Sequence, residues 1–180
     1  MDYHRRSIRL KGYDYSENGY YFVTICIQGK LKLFWNTENK INEKGLMIDF
    51  WFGEISNHFG NVKIDEYVIM PDHIHFILVI KNYLGRTHRS ARTLNQSNKI
   101  VGVDRCVDPI NENKKILGNL IQWFKTMTTN EYIKNVKINN WPHFEKRLWQ
   151  RNFYERIIRS EKEYLIIKKY IKDNPKNLGL

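Results

Sequence analysis

Two histidines separated by one residue, His73 and His75, interrupt an otherwise apolar stretch of the sequence at residues 67–80. Side chains of a β-strand alternate between its faces, so both imidazoles would point to one side, with Cα atoms about 6.6 Å apart. Two neutral imidazoles placed in this way can bind one divalent cation. A cation needs further ligands, and two half-exposed strand histidines that pair with their neighbours are the simpler alternative.

Tyr170 and Asn174 lie four residues apart near the C-terminus and would share one face of a helix. Asn174 directly precedes Pro175, so we expect it at the helix end, with its side-chain amide free to turn outward. The amide oxygen is a reasonable third ligand for Mg²⁺ or Mn²⁺. A tyrosine phenolate beside the cation is a competent nucleophile for phosphorus. The alternative for Tyr170 is ordinary packing, the role that we expect for Tyr164.

The charge of the chain favours a polyanionic partner. Among 180 residues, 30 Lys and Arg stand against 19 Asp and Glu, which gives a net charge of +11. Nucleic acid is the first candidate for so basic a protein, and a membrane surface is the second. A basic surface that only meets solvent is the plain alternative.

Composition also limits the class of protein. Hydrophobic residues make up 42% of the chain, enough for a folded core. The mean hydropathy of −0.60 and the lack of a long apolar run argue against a transmembrane helix. The N-terminus lacks the apolar centre of a secretory signal, and the two cysteines, Cys26 and Cys106, do not form a metal-binding motif. We therefore expect a cytoplasmic protein that does not associate with a membrane.

Hydrophobic periodicity predicts the elements that must position these residues. Strands are predicted at residues 20–28, 62–70, 73–80 and 153–160, and residues 31–35 are a candidate hairpin partner for the first. Helices are predicted at residues 42–59, 114–135 and 160–174. Ser160 and Glu163 form a capping-box pattern at the start of the last helix, and Pro175 ends it.

The order of these elements predicts an α+β, ferredoxin-like βαββαβ fold, with an antiparallel sheet and helices on one face. An additional C-terminal helix would carry the tyrosine. We expect a single domain over residues 1–180, with a basic N-terminal arm at about 1–18 and a long polar insertion at about 81–114.

Three stretches, MPDHIHF, LWQRNFYERIIR and YIKDNPKNLGL, together resemble the HUH single-strand DNA transposases with one catalytic tyrosine. The most similar branch is the REP-associated tyrosine transposases, and the resemblance covers roughly Gly19 to the C-terminus. HUH denotes His, a bulky hydrophobic residue and His, here His73, Ile74 and His75. The family's nucleophile lies in a Tyr-x-x-x-Asn or Tyr-x-x-x-Gln pattern, which Tyr170 and Asn174 match.

The resemblance implies metal-dependent cleavage and rejoining of single-stranded DNA, with or without a hairpin. His73, His75 and Asn174 would bind Mg²⁺ or Mn²⁺, and Tyr170 would form a 5′-phosphotyrosine intermediate, so no nucleotide cofactor is needed. A monomer is favoured over a homodimer because the sequence shows no obvious spare apolar face.

DNA contacts are expected from basic residues, since Lys and Arg bind phosphates whatever the base sequence. The segment at residues 149–151 adds an aromatic ring and an amide that could contact bases. The predicted DNA-binding residues are Arg5, Arg6, Arg9, Lys11, Lys125, Trp149, Gln150, Arg151, Lys168, Lys169 and Lys172.

Two other functions fit part of the sequence. A ferredoxin-like nucleic-acid-binding module without catalysis would explain the charge and the aromatic residues, but not the His-x-His and Tyr-x-x-x-Asn patterns together. A metal-dependent phosphoesterase that activates water would use the histidines and leave Tyr170 a structural role.

Overall fold

The computed structural model describes residues 18–81 and 116–175. Strand β1 (Gly19–Cys26) is followed by a short 3-10 turn, Gln28–Lys30, and by helix α1 (Glu43–His58). Strands β2 (Val62–Ile69) and β3 (His73–Ile80) come next. Helix α2 (Ile116–Ile138), strand β4 (Tyr154–Ile158) and helix α3 (Glu161–Asp173) complete the chain.

The four strands form one sheet in the order β2-β3-β1-β4, and every neighbouring pair is antiparallel. This order and the succession of elements confirm the predicted ferredoxin-like α+β fold with an additional C-terminal helix. Strands β2 and β3 are joined by the tight turn at Pro71 and Asp72, and both strands match the predicted bounds within one residue.

The sheet is covered by helices on both faces. Alternate residues of β1, among them Tyr21, Val23 and Ile25, pack with α1 and α2 in the larger core. The residues between them point to the other face, where Phe22 joins Ile167 and Ile171 of α3 in a smaller core. The alternation of strand side chains therefore sends one set to the helix pair and the other set to α3.

Strand β3 lies at the centre of the sheet and is buried on both faces. All of its residues after His73 are buried. The near-continuous apolar sequence of β3 is what a strand with two covered faces requires. His73 and His75 occupy the α3 face, at the end of the strand that begins beside the β2–β3 turn.

The predicted hairpin partner at residues 31–35 is wrong. This segment crosses the end of the sheet instead, and the backbone amides of Leu33 and Phe34 donate to the Pro71 carbonyl at 2.9 and 3.2 Å. Trp35 forms only an isolated bridge with Ile41. No helix within the described residues is long and apolar enough to cross a membrane. The predicted arm and nearly all of the predicted insertion lie outside the described residues.

Helix α3 begins at the predicted N-cap, because the Ser160 hydroxyl accepts a hydrogen bond from the Glu163 amide at 3.2 Å. The Glu163 carboxylate differs from the capping-box pattern, since it accepts from the amide of Arg159, one residue before the cap, at 2.9 Å. The Arg156 guanidinium also pairs with Glu163, at 2.6 Å. These contacts tie the first turn of α3 to the end of β4.

A β-bulge in β2 supplies the second anchor of α3. The β2–β3 register shifts between Ile64 and Glu66, which leaves Asp65 as the extra residue. Asp65 accepts hydrogen bonds from the Tyr164 hydroxyl at 2.7 Å and from the Lys168 ammonium at 3.2 Å. Lys168 also donates to the Tyr164 hydroxyl at 2.9 Å. The bulge therefore fixes where α3 sits along the sheet.

The Asp65 anchor should make the stability of the fold depend on pH. Burial by itself raises the pKa of Asp65, but hydrogen bonds from Tyr164 and Lys168 outweigh it and hold the pKa below 3.8. A carboxyl group whose pKa is lowered on folding stabilises the folded state above its unfolded pKa, and this contribution is lost as the pH falls through the folded value. Asp65→Asn should therefore make the unfolding free energy fall less steeply at acid pH, in the acid limb of its pH dependence. Denaturant titration at a series of pH values measures this.

Glu38→Gln is the control for this prediction, because Glu38 is an exposed carboxylate that pairs with Lys40 in a surface turn. It should leave the acid limb close to that of the original protein. Equal acid limbs for the original protein and Asp65→Asn would mean that Asp65 does not anchor α3.

Candidate active site

The two histidine rings converge on one point. His73 Nε2 lies 3.0 Å from His75 Nε2 across the α3 face of the sheet. The ring centroids are 4.6 Å apart, and the ring planes cross at 78°. The His-x-His spacing thus brings the same nitrogen of each ring to one place, as its position on a strand predicts.

The other nitrogen of each ring has a partner that fixes its orientation. His73 Nδ1 lies 2.6 Å from a carboxylate oxygen of Asp72, and His75 Nδ1 lies 2.7 Å from the Thr24 hydroxyl. When both Nδ1 atoms donate to these oxygens, both Nε2 atoms are left with lone pairs that face each other. Metal-binding histidines in proteins are held in this way by a second hydrogen bond.

His75 is kept in the form that binds a cation. Burial, and next the neighbouring His73, lower its pKa to about 4, although Asp72 acts in the opposite direction. Its ring also stacks on Phe22, with centroids 5.4 Å apart. His75 is therefore neutral near pH 7, and a neutral imidazole is what a metal ion requires.

Tyr170 meets the histidine pair from α3. Its hydroxyl lies 3.4 Å from His75 Nε2, and its ring packs edge-on against Phe22 and His75, with centroids 6.1 and 5.4 Å away. Tyr170 is 46% exposed, so the hydroxyl can be reached by a large substrate. The predicted nucleophile and the two predicted metal ligands are thus neighbours in space, although 95 residues separate His75 from Tyr170 in the chain.

Asn174 lies one helical turn beyond Tyr170 and forms the C-cap of α3. The expectation that its amide turns outward is wrong, because Asn174 is only 9% exposed. Its Nδ2 atom is buried and has no hydrogen-bond partner. The oxygen and nitrogen of such an amide are assigned by their partners, so the unsatisfied position fits a carbonyl oxygen that awaits a cation as well as an amide nitrogen.

The two Nε2 atoms are close enough to bind one cation together, at 3.0 Å from each other. Neighbouring ligands at about 2.1 Å from an octahedral ion are about 3.0 Å apart, and those of tetrahedral zinc are about 3.3 Å apart. Within the described residues, no group of three or more His, Cys, Asp or Glu side chains could hold a metal ion. His73 and His75 would therefore need the Asn174 oxygen, substrate or water as further ligands.

Two of the predicted DNA-binding residues are built into the fold. The Lys125 ammonium donates to the carbonyls of residues 150, 151 and 152, at 2.8, 3.4 and 3.2 Å. Trp149 is 4% exposed, and its indole nitrogen donates to the Thr128 hydroxyl at 2.9 Å. The structure does not support stacking of Trp149 on a base, because its ring is part of the larger core. The Lys125 ammonium likewise makes its hydrogen bonds within the protein.

The lysines of α3 divide into two groups. Lys168 binds Asp65, and Lys172 lies 3.4 Å from Glu66, so both of these predicted phosphate contacts already have acidic partners on β2. Lys169, on another face of α3, is exposed and has no ion-pair partner within the described residues. Gln150 is partly buried and Arg151 is exposed. Arg5, Arg6, Arg9 and Lys11 lie outside the described residues.

Sequence analysis missed three residues that shape the site: Thr24, Asp65 and Asp72. Asp72 directly precedes His73, and this position in the sequence could have identified it as a residue of the site. Thr24 becomes visible only through the register of β1 with β3, in which it pairs with His75. Asp65 reaches α3 because of the bulge, for which the sequence offers no distinct pattern.

No family model matches the chain. An uncharacterized protein of Haemophilus influenzae is 36% identical to it over an alignment of 177 positions that covers 96% of this chain and 89% of that protein. The chain belongs to the same family as this protein. Membership in this family does not by itself assign an activity.

Solved structures with a similar arrangement include a REP-associated tyrosine transposase bound to a REP hairpin. It is 17% identical and has a TM-score of 0.49, with 99% of this chain and 75% of that chain covered. A candidate transposase of Deinococcus radiodurans is 14% identical with a TM-score of 0.48, and the match covers 92% and 97% of the two chains. At this level of similarity, neither structure decides what the site does.

The hydrogen bond from His75 to Thr24 generates a prediction about metal affinity. Thr24→Val keeps the shape of the side chain but removes the acceptor for His75 Nδ1, so Mn²⁺ affinity should fall by about 10- to 100-fold. Isothermal titration calorimetry with Mn²⁺ measures this directly. Thr24→Ser keeps the hydroxyl and should retain most of the affinity. Equal Mn²⁺ affinity in Thr24→Val and the original protein would contradict an orienting role for Thr24.

Proposed function

We propose that this protein cleaves and rejoins single-stranded DNA by transesterification, with Tyr170 as the nucleophile. The observation that carries the proposal is the position of the Tyr170 hydroxyl, 3.4 Å from His75 Nε2, which itself lies 3.0 Å from His73 Nε2. A tyrosine whose only role is packing would not require histidine nitrogens beside its hydroxyl. The resemblance of the sequence motifs to the HUH transposases points to the same chemistry.

The metal ligands in this proposal are His73 Nε2, His75 Nε2 and the amide oxygen of Asn174. Their fit rests on the 3.0 Å spacing of the two nitrogens and on the unsatisfied amide position of Asn174. A bound Mg²⁺ or Mn²⁺ supplies positive charge that offsets the negative charge on the scissile phosphate in the transition state. Asp72 and Thr24 keep the two rings oriented for this role.

The reaction exchanges one phosphodiester for another. The Tyr170 oxygen bonds to phosphorus as its proton leaves, and the bond from phosphorus to the 3′-oxygen of the DNA breaks. The departing oxygen takes a proton and becomes a free 3′-hydroxyl, while the 5′ end stays attached as a phosphotyrosine. Attack by the 3′-hydroxyl of another strand reverses the step and joins the two strands. No nucleotide cofactor is needed, because the energy of the ester bond is retained.

Single-stranded DNA is the proposed substrate for two reasons. The net charge of +11 favours a polyanion. Tyr170 is also 46% exposed at the end of the sheet, so a flexible strand can approach the site from solvent. A strand within a duplex is held by pairing and stacking and adapts less easily.

The central prediction concerns the Tyr170 hydroxyl. Tyr170→Phe keeps the ring that packs on Phe22 and His75, so the fold should persist. Cleavage and the covalent adduct should both disappear, because the attacking oxygen is gone. The measurement is denaturing electrophoresis of a labelled single-stranded substrate incubated with Mn²⁺, with and without a hairpin in the substrate, followed by peptide mapping of any adduct.

Tyr154 provides the matched control. It is 49% exposed, and its ring also contacts Phe22, at 6.5 Å between centroids. Tyr154→Phe should therefore leave both cleavage and adduct close to their original levels. Tyr164 is a poorer control, because its hydroxyl anchors α3 through Asp65.

Three results would contradict the proposal in different ways. An adduct that maps to another tyrosine would overturn the assignment of Tyr170. Cleavage without an adduct would favour a phosphoesterase that activates water, and retarded DNA with neither product would favour a binding module.

A second prediction separates the metal from DNA binding. His73→Ala and His75→Ala should each abolish cleavage, and EDTA should do so reversibly on addition of Mn²⁺. DNA affinity should change little, because phosphate contacts by Lys and Arg supply most of it. Gel assays for cleavage and fluorescence anisotropy for binding test the two parts separately. Full cleavage in EDTA would remove the metal from the mechanism.

A further inference from the structure

We call residues 143–153 the basic segment, and two cavities flank it. One has a volume of about 800 Å³ and the other about 930 Å³, and both are open to solvent. Lys146, Arg147, Gln150 and Arg151 line both of them. We call the two cavities together the basic cleft. None of the residues of the basic cleft belongs to the histidine–tyrosine site, so the cleft has no role in the chemistry described above.

The charge of the basic cleft is strongly one-sided. Among the described residues, the smaller cavity is lined by four basic side chains, Lys125, Lys146, Arg147 and Arg151, and by no carboxylate. The larger one adds Glu145, the single carboxylate in the described part of its lining. Lys146, Arg147 and Arg151 are exposed, and none of the three pairs with a carboxylate within the described residues. Concentrated positive charge of this kind attracts a polyanion.

The basic segment is held in place by two sets of contacts. Lys125 donates to the carbonyls of residues 150–152. Leu148 and Trp149 are buried in the larger core. These contacts fix the backbone that carries Arg147 and Arg151.

The basic cleft lies close to the histidine pair across the end of the sheet. The Gln150 amide donates to the Cys26 carbonyl at 2.9 Å, and Cys26 is paired with His73 in the β1–β3 register. Two strand spacings therefore separate the backbones of Gln150 and His73, a distance of about 10 Å. A polynucleotide whose phosphate lies at the histidine pair can reach the cleft within a few nucleotides.

We propose that the basic cleft binds the phosphate backbone of single-stranded DNA next to the scissile phosphate, through Lys146, Arg147 and Arg151. The identity of the ligand rests on the proposed function, whereas the location and charge of the cleft do not. The contacts are to phosphates and hold the strand in position without selecting its base sequence.

The test compares two triple variants that remove the same charge. The cleft variant is Lys146→Gln, Arg147→Gln and Arg151→Gln. The control is Lys63→Gln, Lys81→Gln and Lys162→Gln, three exposed lysines elsewhere on the surface. Fluorescence anisotropy with labelled dT20 in EDTA measures affinity without cleavage. Circular dichroism checks the fold, and the single variant Arg147→Gln replaces the triple variant if the latter fails to fold.

The cleft variant should weaken dT20 binding by about tenfold or more, and its salt slope should fall by about 2, which is three contacts at 0.7 each. The control should weaken binding by no more than about threefold. Equal weakening by both triple variants, an unchanged salt slope, or no binding of dT20 by the original protein would overturn the proposal.

The two proposals fail separately. If Tyr170→Phe still forms an adduct but the cleft variant alone loses affinity, the assignment of the nucleophile is wrong and the cleft stands. If the cleft and control variants bind alike while Tyr170→Phe loses all adduct, the cleft is wrong and the nucleophile stands.

Discussion

The burial of β3 on both faces is the constraint on which the candidate site depends. A strand at the centre of the sheet, covered by α1 and α2 on one side and by α3 on the other, has no room for an unsatisfied polar group. His75 is nevertheless placed there, 6% exposed, with its Nδ1 bonded to Thr24 and its Nε2 facing that of His73. The core therefore keeps both rings in fixed positions. Their orientation follows from the packing of the whole sheet and not from a flexible loop.

Helix α3 supplies the other half of the site and is held by a small number of contacts. Of the residues of α3, only Ile167 and Ile171 are buried in the smaller core. Polar contacts with Asp65, Glu66 and Arg156 set the position of the helix. The lysines of α3 that were expected to bind DNA are engaged in this attachment. Exposed cations without an acidic partner among the described residues include Lys169 and the basic residues of the cleft. The chain thus uses some of its cations to assemble the site and leaves others exposed.

The sequence predicted the elements of the fold well because their patterns are local. Alternation in β3 and helical spacing in α3 are visible within a few residues of sequence. The common face of His73 and His75 could therefore be predicted without knowledge of the fold. The hydrogen bond of His75 with Thr24 could not, because it depends on the register of two strands 51 residues apart. The internal contacts of Lys125 and Trp149 could not be predicted either, because each connects helix α2 to the irregular segment before β4, more than 20 residues away.

The bulge in β2 also limits how this chain can change in length. Ile64 pairs with Leu78 and Glu66 pairs with Ile77, so two residues of β2 stand opposite one residue of β3. Loss of Asp65 would restore an even ladder in which every other residue of β2 keeps its present partner and face. Val62 and Ile69 are buried at the two ends of β2 and lie seven residues apart, so they share one face only because the bulge adds a residue between them. A single-residue deletion within β2 can therefore keep both ends of the strand in the core only by removing the bulge, and with it the anchor of α3.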